Sequence, residues 1–277
     1  MTTVAQLWVE TTAIIGDRIH ARWIVERATA VDSVEDGGAD SVTERMMAHL
    51  DQMVRRYQSG EPIQYVLGQW AFRHVELAVD TRVLIPRPET EEVAGVALEI
   101  ASRFEPRRVL DLGTGSGAIG LALASELPLE GTEIWITDVD AGALDVARSN
   151  LAGLGRHARN VRVAAGSWFG AITPSDQFDV IVSNPPYIAE DDPEVEVGVE
   201  QYEPHRALYS GADGLDAIRL ISAGAPRHLV PGGSLVLEIG HRQGTAVKQL
   251  LIDAGFENVE IRRDLAGRDR IAVGSLG

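Results

Sequence analysis

The residues best suited to chemistry lie in Ser183-Asn184-Pro185-Pro186-Tyr187, at the end of an apolar run over 178–183. Pro185 keeps Asn184 out of the helical region, and two consecutive prolines stiffen the loop while removing two backbone donors. What remains is rich in acceptors: the side-chain oxygen of Asn184 and the carbonyl of Pro185, beside the flat ring of Tyr187. That surface suits a planar group carrying NH2 on an sp² carbon. Both amino hydrogens can be held in plane, leaving the nitrogen face open to an electrophile. Such a nitrogen is a poor nucleophile because its lone pair is delocalised, and no ordinary side chain deprotonates it beforehand. Catalysis then rests on orientation, which supplies about 7–11 kcal/mol in favourable cases, and on acceptors placed where positive charge develops. No general base is required. Asn184 and Pro185 are the candidate catalytic residues, and Asn184, Pro185, Pro186 and Tyr187 the candidate acceptor site. Adenine, cytosine, guanine and glutamine all present such a group, and a plain rigid turn is the bland alternative.

A second site is written into Asp111-Leu112-Gly113-Thr114-Gly115-Ser116-Gly117-Ala118, between a predicted strand and a predicted helix. Glycines at such a junction let the backbone turn tightly and approach a ligand at a helix N-terminus. Roughly 20 residues further on, Asp138 closes the next strand, where a carboxylate can accept both hydroxyls of a ribose. The spacing G-x-G-x-G departs from the dinucleotide fingerprint G-x-G-x-x-G. It resembles instead the methionine-binding loop of class I S-adenosylmethionine-dependent methyltransferases, which have no pyrophosphate to cradle. The electrophile at Asn184 would then be a sulfonium methyl. Gly113, Thr114, Gly115, Ser116, Gly117, Asp138 and Asn184 are candidate cofactor residues. Trp168 joins them, placed to flank an adenine or else an ordinary core tryptophan.

These loops need a scaffold, and the pattern from Arg107 onward supplies one. Candidate strands fall at 107–112, 133–138, 161–165, 178–183, 234–239, 257–263 and 269–273. Helical patterns fall at 90–103, 118–126, 140–154, 214–229 and 242–254. The alternation predicts a doubly wound α/β domain with a mainly parallel sheet, whose ligands bind at the carboxyl ends of the strands. Upstream, apolar residues recur at helical spacing in Val4, Leu7, Trp8, Ile14, Ile15, Ile19, Trp23 and Ile24, then from Met46 to Tyr57, with a loop at 32–40. This predicts a small helical bundle over 1–65. Val66–Phe72 and Val75–Val79 alternate at period two around Arg73-His74, predicting a hairpin linker over 66–86. His74 reads as a turn residue, since no second histidine stands at metal-ligand spacing. The catalytic domain is expected over 87–277.

Composition narrows the class. Of 277 residues, 45% are hydrophobic and 24% charged, near the globular average, which excludes wholesale disorder. With no cysteine, there is no disulfide framework, thiolate metal site or cysteine nucleophile. No apolar run reaches the roughly 18–20 residues of a membrane helix, and the N-terminus lacks a secretory pattern, so a cytoplasmic protein is expected. The net charge of −16 favours a soluble monomer and opposes binding to a phosphate backbone. Glu190 to Glu203 alone holds seven acidic residues and no basic one. That stretch, next to the reactive loop, disfavours DNA or RNA and would welcome a basic protein patch.

Several segments beyond the reactive loop point one way. They are Pro62-Ile63-Gln64-Tyr65-Val66-Leu67-Gly68, Leu84-Ile85-Pro86-Arg87-Pro88-Glu89-Thr90-Glu91, Tyr202-Glu203-Pro204, Gly211-Ala212-Asp213-Gly214-Leu215, Glu238-Ile239-Gly240 and 263–270. Together with Asn184-Pro185-Pro186-Tyr187 they closely resemble the peptide chain release factor N5-glutamine methyltransferases (the PrmC/HemK family), from about residue 60 to the end. The resemblance implies a class I methyltransferase fold with a seven-stranded sheet. It also implies S-adenosylmethionine as cofactor, with S-adenosylhomocysteine as product and no metal. The implied substrate is the glutamine of the Gly-Gly-Gln motif in class 1 release factors, methylated on its side-chain amide nitrogen. Gly113 to Gly117 would bind the methionine part, Asp138 the ribose and Trp168 the adenine side. Asn184 to Tyr187 would hold the glutamine amide, and the helical bundle and hairpin would grip the factor. Arg73-His74 stands where the family often has glycine, and Ser167 replaces a common aspartate. No role is assigned to Arg87, Glu89 or His241.

Two other classes use the same residues. A nucleic-acid amino-methyltransferase would need a basic recognition domain, and no basic block exists. A cofactor-binding module without turnover would not need Asn184.

Overall fold

The structure is a computed structural model that describes residues 2–35, 41–193 and 197–277. Part of the predicted loop at 32–40, and Glu194 and Glu196 of the acidic stretch, lie outside the described residues. The chain forms two compact units, Met1–Trp70 with Glu196–Tyr202 and Ala71–Val195 with Glu203–Gly277.

The first unit is helical. It holds α1 (Val4–Ile15), α2 (Arg18–Thr29), α3 (Glu44–Gln58), the short α4 (Ile63–Leu67) and, from later in the chain, α8 (Val197–Tyr202). Thr3, Asp17 and Thr43 cap the first three helices, each accepting from backbone N–H groups of the opening turn, which removes donors the helix cannot satisfy itself. Leu7, Ile24, Leu50, Met53 and Val66 form its core. Tyr202 donates its hydroxyl to the Ser59 carbonyl at 2.7 Å.

The structure adds one detail to the bundle and overturns one expectation. The apolar run 4–24 is two helices, because Gly16 turns left-handed (φ +77°) and Asp17 starts α2 afresh. The break shifts the helical phase, so Ile14 and Ile19 are 57% and 60% exposed. Val66 and Leu67 are helical rather than extended. Val66 is drawn into the bundle core, and Gly68 (φ +72°) ends that turn before the strand begins.

The hairpin is β1 (Gln69–Phe72) and β2 (Val75–Ala78), and the boundary between the units falls within β1. At its turn Arg73 adopts φ +50°, a conformation that favours glycine. Its guanidinium compensates with a two-pronged pair to Glu126 (2.6 and 2.7 Å) and a bond to the Glu91 carbonyl. His74 is exposed in the turn.

The rest of the second unit alternates as expected. Its elements are α5 (Pro88–Ala101), β3 (Arg107–Leu112), α6 (Ala118–Glu126), β4 (Thr132–Asp138), α7 (Ala141–Gly153), β5 (Val161–Ala165) and β6 (Phe178–Ser183). They continue with α9 (His205–Leu208), α10 (Asp216–Gly224), β7 (Leu229–Glu238), α11 (Gly244–Asp253), β8 (Glu257–Arg263) and β9 (Asp269–Ser275). The seven strands run in the order β5-β4-β3-β6-β7-β9-β8. Only β9 is antiparallel to its neighbours. Pro226 has no N–H to continue α10, so the helix expected to reach 229 stops at Gly224. The order reverses between β3 and β6, the switch point where open α/β sheets bind ligands. At that edge Ser183 donates its hydroxyl to the Leu112 carbonyl (2.6 Å), locking the two strand ends together.

Candidate active site

A cavity of about 410 Å³ opens at this edge of the second unit. β3 delivers the glycine loop into it. Gly113 and Gly117 have φ of +69° and +88°, and a Cβ on Gly113 would sit 3.3 Å from the Trp168 ring. The loop therefore needs glycine both to turn and to let Trp168 cover it. Gly113, Thr114, Gly115 and Ser116 line the cavity, whereas Gly117 lies behind them as the cap of α6.

Asp111 lies beneath the loop, 1% exposed. Its Oδ2 accepts from the Thr114 hydroxyl (2.5 Å) and the Gly120 N–H (2.9 Å). Its Oδ1 finds no hydrogen-bond partner among the described residues. Burial pushes this carboxyl up to about 6, against the pull of Thr114 and Gly120 and with a further push from Asp138. A sealed carboxylate with one unsatisfied oxygen is costly, and a cationic ligand group at the loop would relieve it.

Asp138, half-buried at the end of β4, takes the Gly115 N–H on Oδ2 and the Asp140 N–H on Oδ1, both at 2.9 Å. Each oxygen keeps acceptor capacity for a hydroxyl, and the residue lines the cavity. Trp168 (φ +46°) packs partly on the sheet core and also lines the cavity. Val139, 52% exposed, adds an apolar wall. The cavity thus brings two carboxylates, Asp111 and Asp138, beside an indole and an apolar wall, a lining that could hold an ammonium, a ribose and a flat base, the three groups S-adenosylmethionine carries.

β6 delivers the reactive loop. Asn184 and Pro186 line the cavity, while Pro185 is buried. Tyr187 packs against the sheet core and its hydroxyl donates to Glu238 Oε1 at 3.1 Å. Burial and the Glu238 charge push that hydroxyl upward, so it remains a donor. The Asn184 amide nitrogen donates to Thr90 Oγ1 at 3.1 Å, and Thr90 donates to Glu238 Oε2 at 2.7 Å. Glu238 is 1% exposed. Its carboxyl is pushed up to about 6 by burial, tempered by Thr90, Arg270 and Tyr187 and reinforced by Glu89.

Thr90 and Glu238 were invisible as site residues in the sequence. Each stood inside a segment that marked the resemblance, but the contact joins residues 148 positions apart. The connecting segment with Arg82, Val83, Leu84 and Pro86 also lines the cavity unannounced. Glu203 departs from the reading of 190–203 as an acidic surface. It is 5% exposed, pairs with Arg87 and accepts from the Ile85 N–H, bracing that segment. Among the described residues no cluster of three or more His, Asp or Glu could hold a metal ion, and no helix is long and apolar enough to cross a membrane.

The family described as methyltransferase small domain matches residues 95–203. A release factor glutamine methyltransferase of Xylella fastidiosa (strain Temecula1) is 45% identical over 236 residues, 85% of this chain and 82% of that one. One from Neisseria gonorrhoeae is 40% identical over 260 residues, 93% of each chain. Among solved structures, a methyltransferase from Pyrococcus furiosus matches with a TM-score of 0.54 at 20% identity, over 82% of this chain and 99% of that one, a likeness of fold alone.

Proposed function

The chain belongs to the release factor glutamine methyltransferases, and we propose that it transfers a methyl group from S-adenosylmethionine to the glutamine side-chain amide nitrogen in the Gly-Gly-Gln motif of class 1 peptide chain release factors, a protein methylation that serves translation termination. Its second unit has the class I methyltransferase fold. Beyond family membership, the reading is carried by the Asn184 amide. Its nitrogen is committed to Thr90, and no hydrogen bond occupies its oxygen among the described residues. That acceptor stands on the same cavity as Asp111 and Asp138.

When bound, S-adenosylmethionine supplies a methyl carbon made electrophilic by its sulfonium. Asp138 offers its oxygens to the ribose, the 113–117 backbone approaches the methionine part, and Trp168 and Val139 wall the adenine. Asp111 provides negative charge for the ammonium. Asn184 Oδ1 and the Pro185 carbonyl accept the two amide hydrogens of the glutamine, fixing its nitrogen for attack. Pro186 and Tyr187 keep that loop rigid. The proton released from nitrogen leaves to solvent, with no side chain acting as base.

The helical unit, which exposes the apolar side chains of Val9, Ile14 and Ile19, would dock the release factor. A Val9→Asp, Ile19→Asp double variant should lower kcat/KM for the whole factor about 5–10-fold, a modest interface loss, while a short Gly-Gly-Gln peptide is methylated at the wild-type rate. Equal loss on peptide and factor would remove the docking role. The reading further includes a cytoplasmic, monomeric enzyme without metal or direct nucleic-acid substrate; the net charge of −16 supports the monomer and opposes a phosphate backbone. The decisive experiment is transfer of labelled methyl to a purified release factor, beside its Gly-Gly-Ala variant, bulk DNA and bulk RNA. Label on the native factor alone is expected. Label on nucleic acid, with none on the factor, would overturn the substrate.

A further inference from the structure

The geometry points to Glu238 as a positioning residue: through Thr90 it holds the Asn184 side-chain amide in the one orientation that presents Oδ1 to the acceptor nitrogen. The inference deepens the reading given above and rests on it for the identity of the acceptor.

Three elements meet at this point. Asn184 follows β6, Thr90 lies in the first turn of α5 and is 3% exposed, and Glu238 ends β7. An asparagine amide has nearly the same shape in either flip, so only its partners decide which atom faces the cavity. Here the decision starts at the carboxylate. Ionised Glu238 has no proton to give, so it accepts the Thr90 hydroxyl on Oε2 (2.7 Å) and the Tyr187 hydroxyl on Oε1 (3.1 Å). The single Thr90 hydrogen is then spent. Toward Asn184, Thr90 Oγ1 can only accept, and the group it accepts from at 3.1 Å is the amide NH2. Asn184 Oδ1 is left for the cavity.

A neutral partner would lose this polarity. A glutamine amide or a protonated carboxyl can donate to Thr90 Oγ1, freeing the Thr90 hydrogen to bond Asn184 Oδ1 instead. The amide would then turn NH2 toward an acceptor that is itself NH2, and two donors would face each other. The fully buried carboxylate is costly to keep, and neither of its oxygens touches the cavity, which leaves orientation as its use.

The charges around Glu238 set the pH at which this fails. Glu89 stands nearby from α5. From β9, the Arg270 guanidinium lies 3.5 Å from the Tyr187 hydroxyl and is paired with Asp264 at the same distance. With the Glu238 carboxyl raised to about 6, wild-type kcat should fall as the pH drops through 6.

The test compares wild type, Glu238→Gln, Thr90→Val and Thr90→Ser, measuring kcat, KM and cofactor affinity from pH 5 to 9. Misorientation of a reacting group by a small displacement costs up to about 100-fold. Glu238→Gln and Thr90→Val should therefore lose about 10–100-fold in kcat at pH 8, with cofactor affinity within about twofold of wild type. Thr90→Ser should keep most of the rate, and Glu238→Gln should lose the acidic limb. A second measurement needs no acceptor. The Asn184 side-chain NH2 signals in a ¹⁵N-labelled protein should titrate with the pH limb in wild type and stay still in Glu238→Gln. Wild-type kcat in Glu238→Gln, or Asn184 signals indifferent to both substitutions, would overturn the inference. A wild-type enzyme that leaves the release factor unmethylated would instead overturn the substrate, and the amide signals would still decide the role of Glu238.

Discussion

Asp111 and Glu238 are two carboxylates at two ends of one site, and they differ where it matters. Both belong to central strands, both are 1% exposed, and burial pushes both up to about 6. Yet Glu238 has a hydroxyl on each oxygen, while Asp111 Oδ1 has nothing. A satisfied buried carboxylate acts on the groups that satisfy it, and here it orients the acceptor end. An unsatisfied one is a buried negative charge without a partner among the described residues, and it lies under the loop proposed to hold the cationic cofactor. Equal burial thus serves two purposes, and the hydrogen bonds alone distinguish them.

The sharpest way to break this division is at the acceptor. Asn184→Ala should lower kcat about 10²–10³-fold, the usual cost of removing one preorganised polar group from a transition state, and leave cofactor affinity nearly intact. Equal losses in both would make Asn184 a cofactor scaffold and merge the two ends. At the other end, Asp138→Ala should weaken cofactor binding by about 10–100-fold, since hydrogen bonds to a charged group are worth roughly 1.5–3 kcal/mol. Calorimetry that finds unchanged affinity would remove the ribose assignment.

What the sequence disclosed follows the same division. The end proposed to hold the cofactor was legible as a cavity wall because it is local. Gly113 to Gly117 and Asp138 sit on consecutive strand ends, and their types follow from turn geometry and from what a ribose needs. The strands themselves were legible from their apolar runs, and the structure moves most of their limits by only a residue or two. The acceptor end was half legible. Asn184 announced itself by its prolines, but the Thr90–Glu238 contact bridges α5 and β7 and has no local pattern. Helical periodicity likewise could not show that Gly16 resets the phase of the first helix, since spacing is counted along the chain and burial is decided across it. Glu203 illustrates the limit for charge: seven acids between 190 and 203 look like surface, and one of them is buried against Arg87.

The smallest expected effect is the most direct test of the unpartnered Asp111 oxygen. A carboxyl whose pKa is raised on folding stabilises the fold below its ordinary value and loses that contribution as the pH rises through the folded one. At pH 8 ionised Asp111, raised from 3.8 to about 6, opposes folding by roughly 2–3 kcal/mol. Asp111→Asn removes that charge while its remaining oxygen can still accept from Thr114 and Gly120, so urea melts of the cofactor-free protein at pH 8 should gain about 1–2 kcal/mol. The gain should shrink as the pH falls through 6 and vanish near pH 4. Glu238→Gln removes a smaller cost, since that carboxyl is raised only from 4.5 to about 6, and the hydrogen bonds around it rearrange rather than gain a partner, so its stabilisation should be the smaller of the two. Saturating cofactor should reverse the order for Asp111→Asn, because ligand stabilises in proportion to affinity and this variant has lost its counter-charge. If both amides stabilised the free protein equally, Asp111 Oδ1 would be no more reserved than Glu238, and its missing partner would lie within the protein rather than in a ligand.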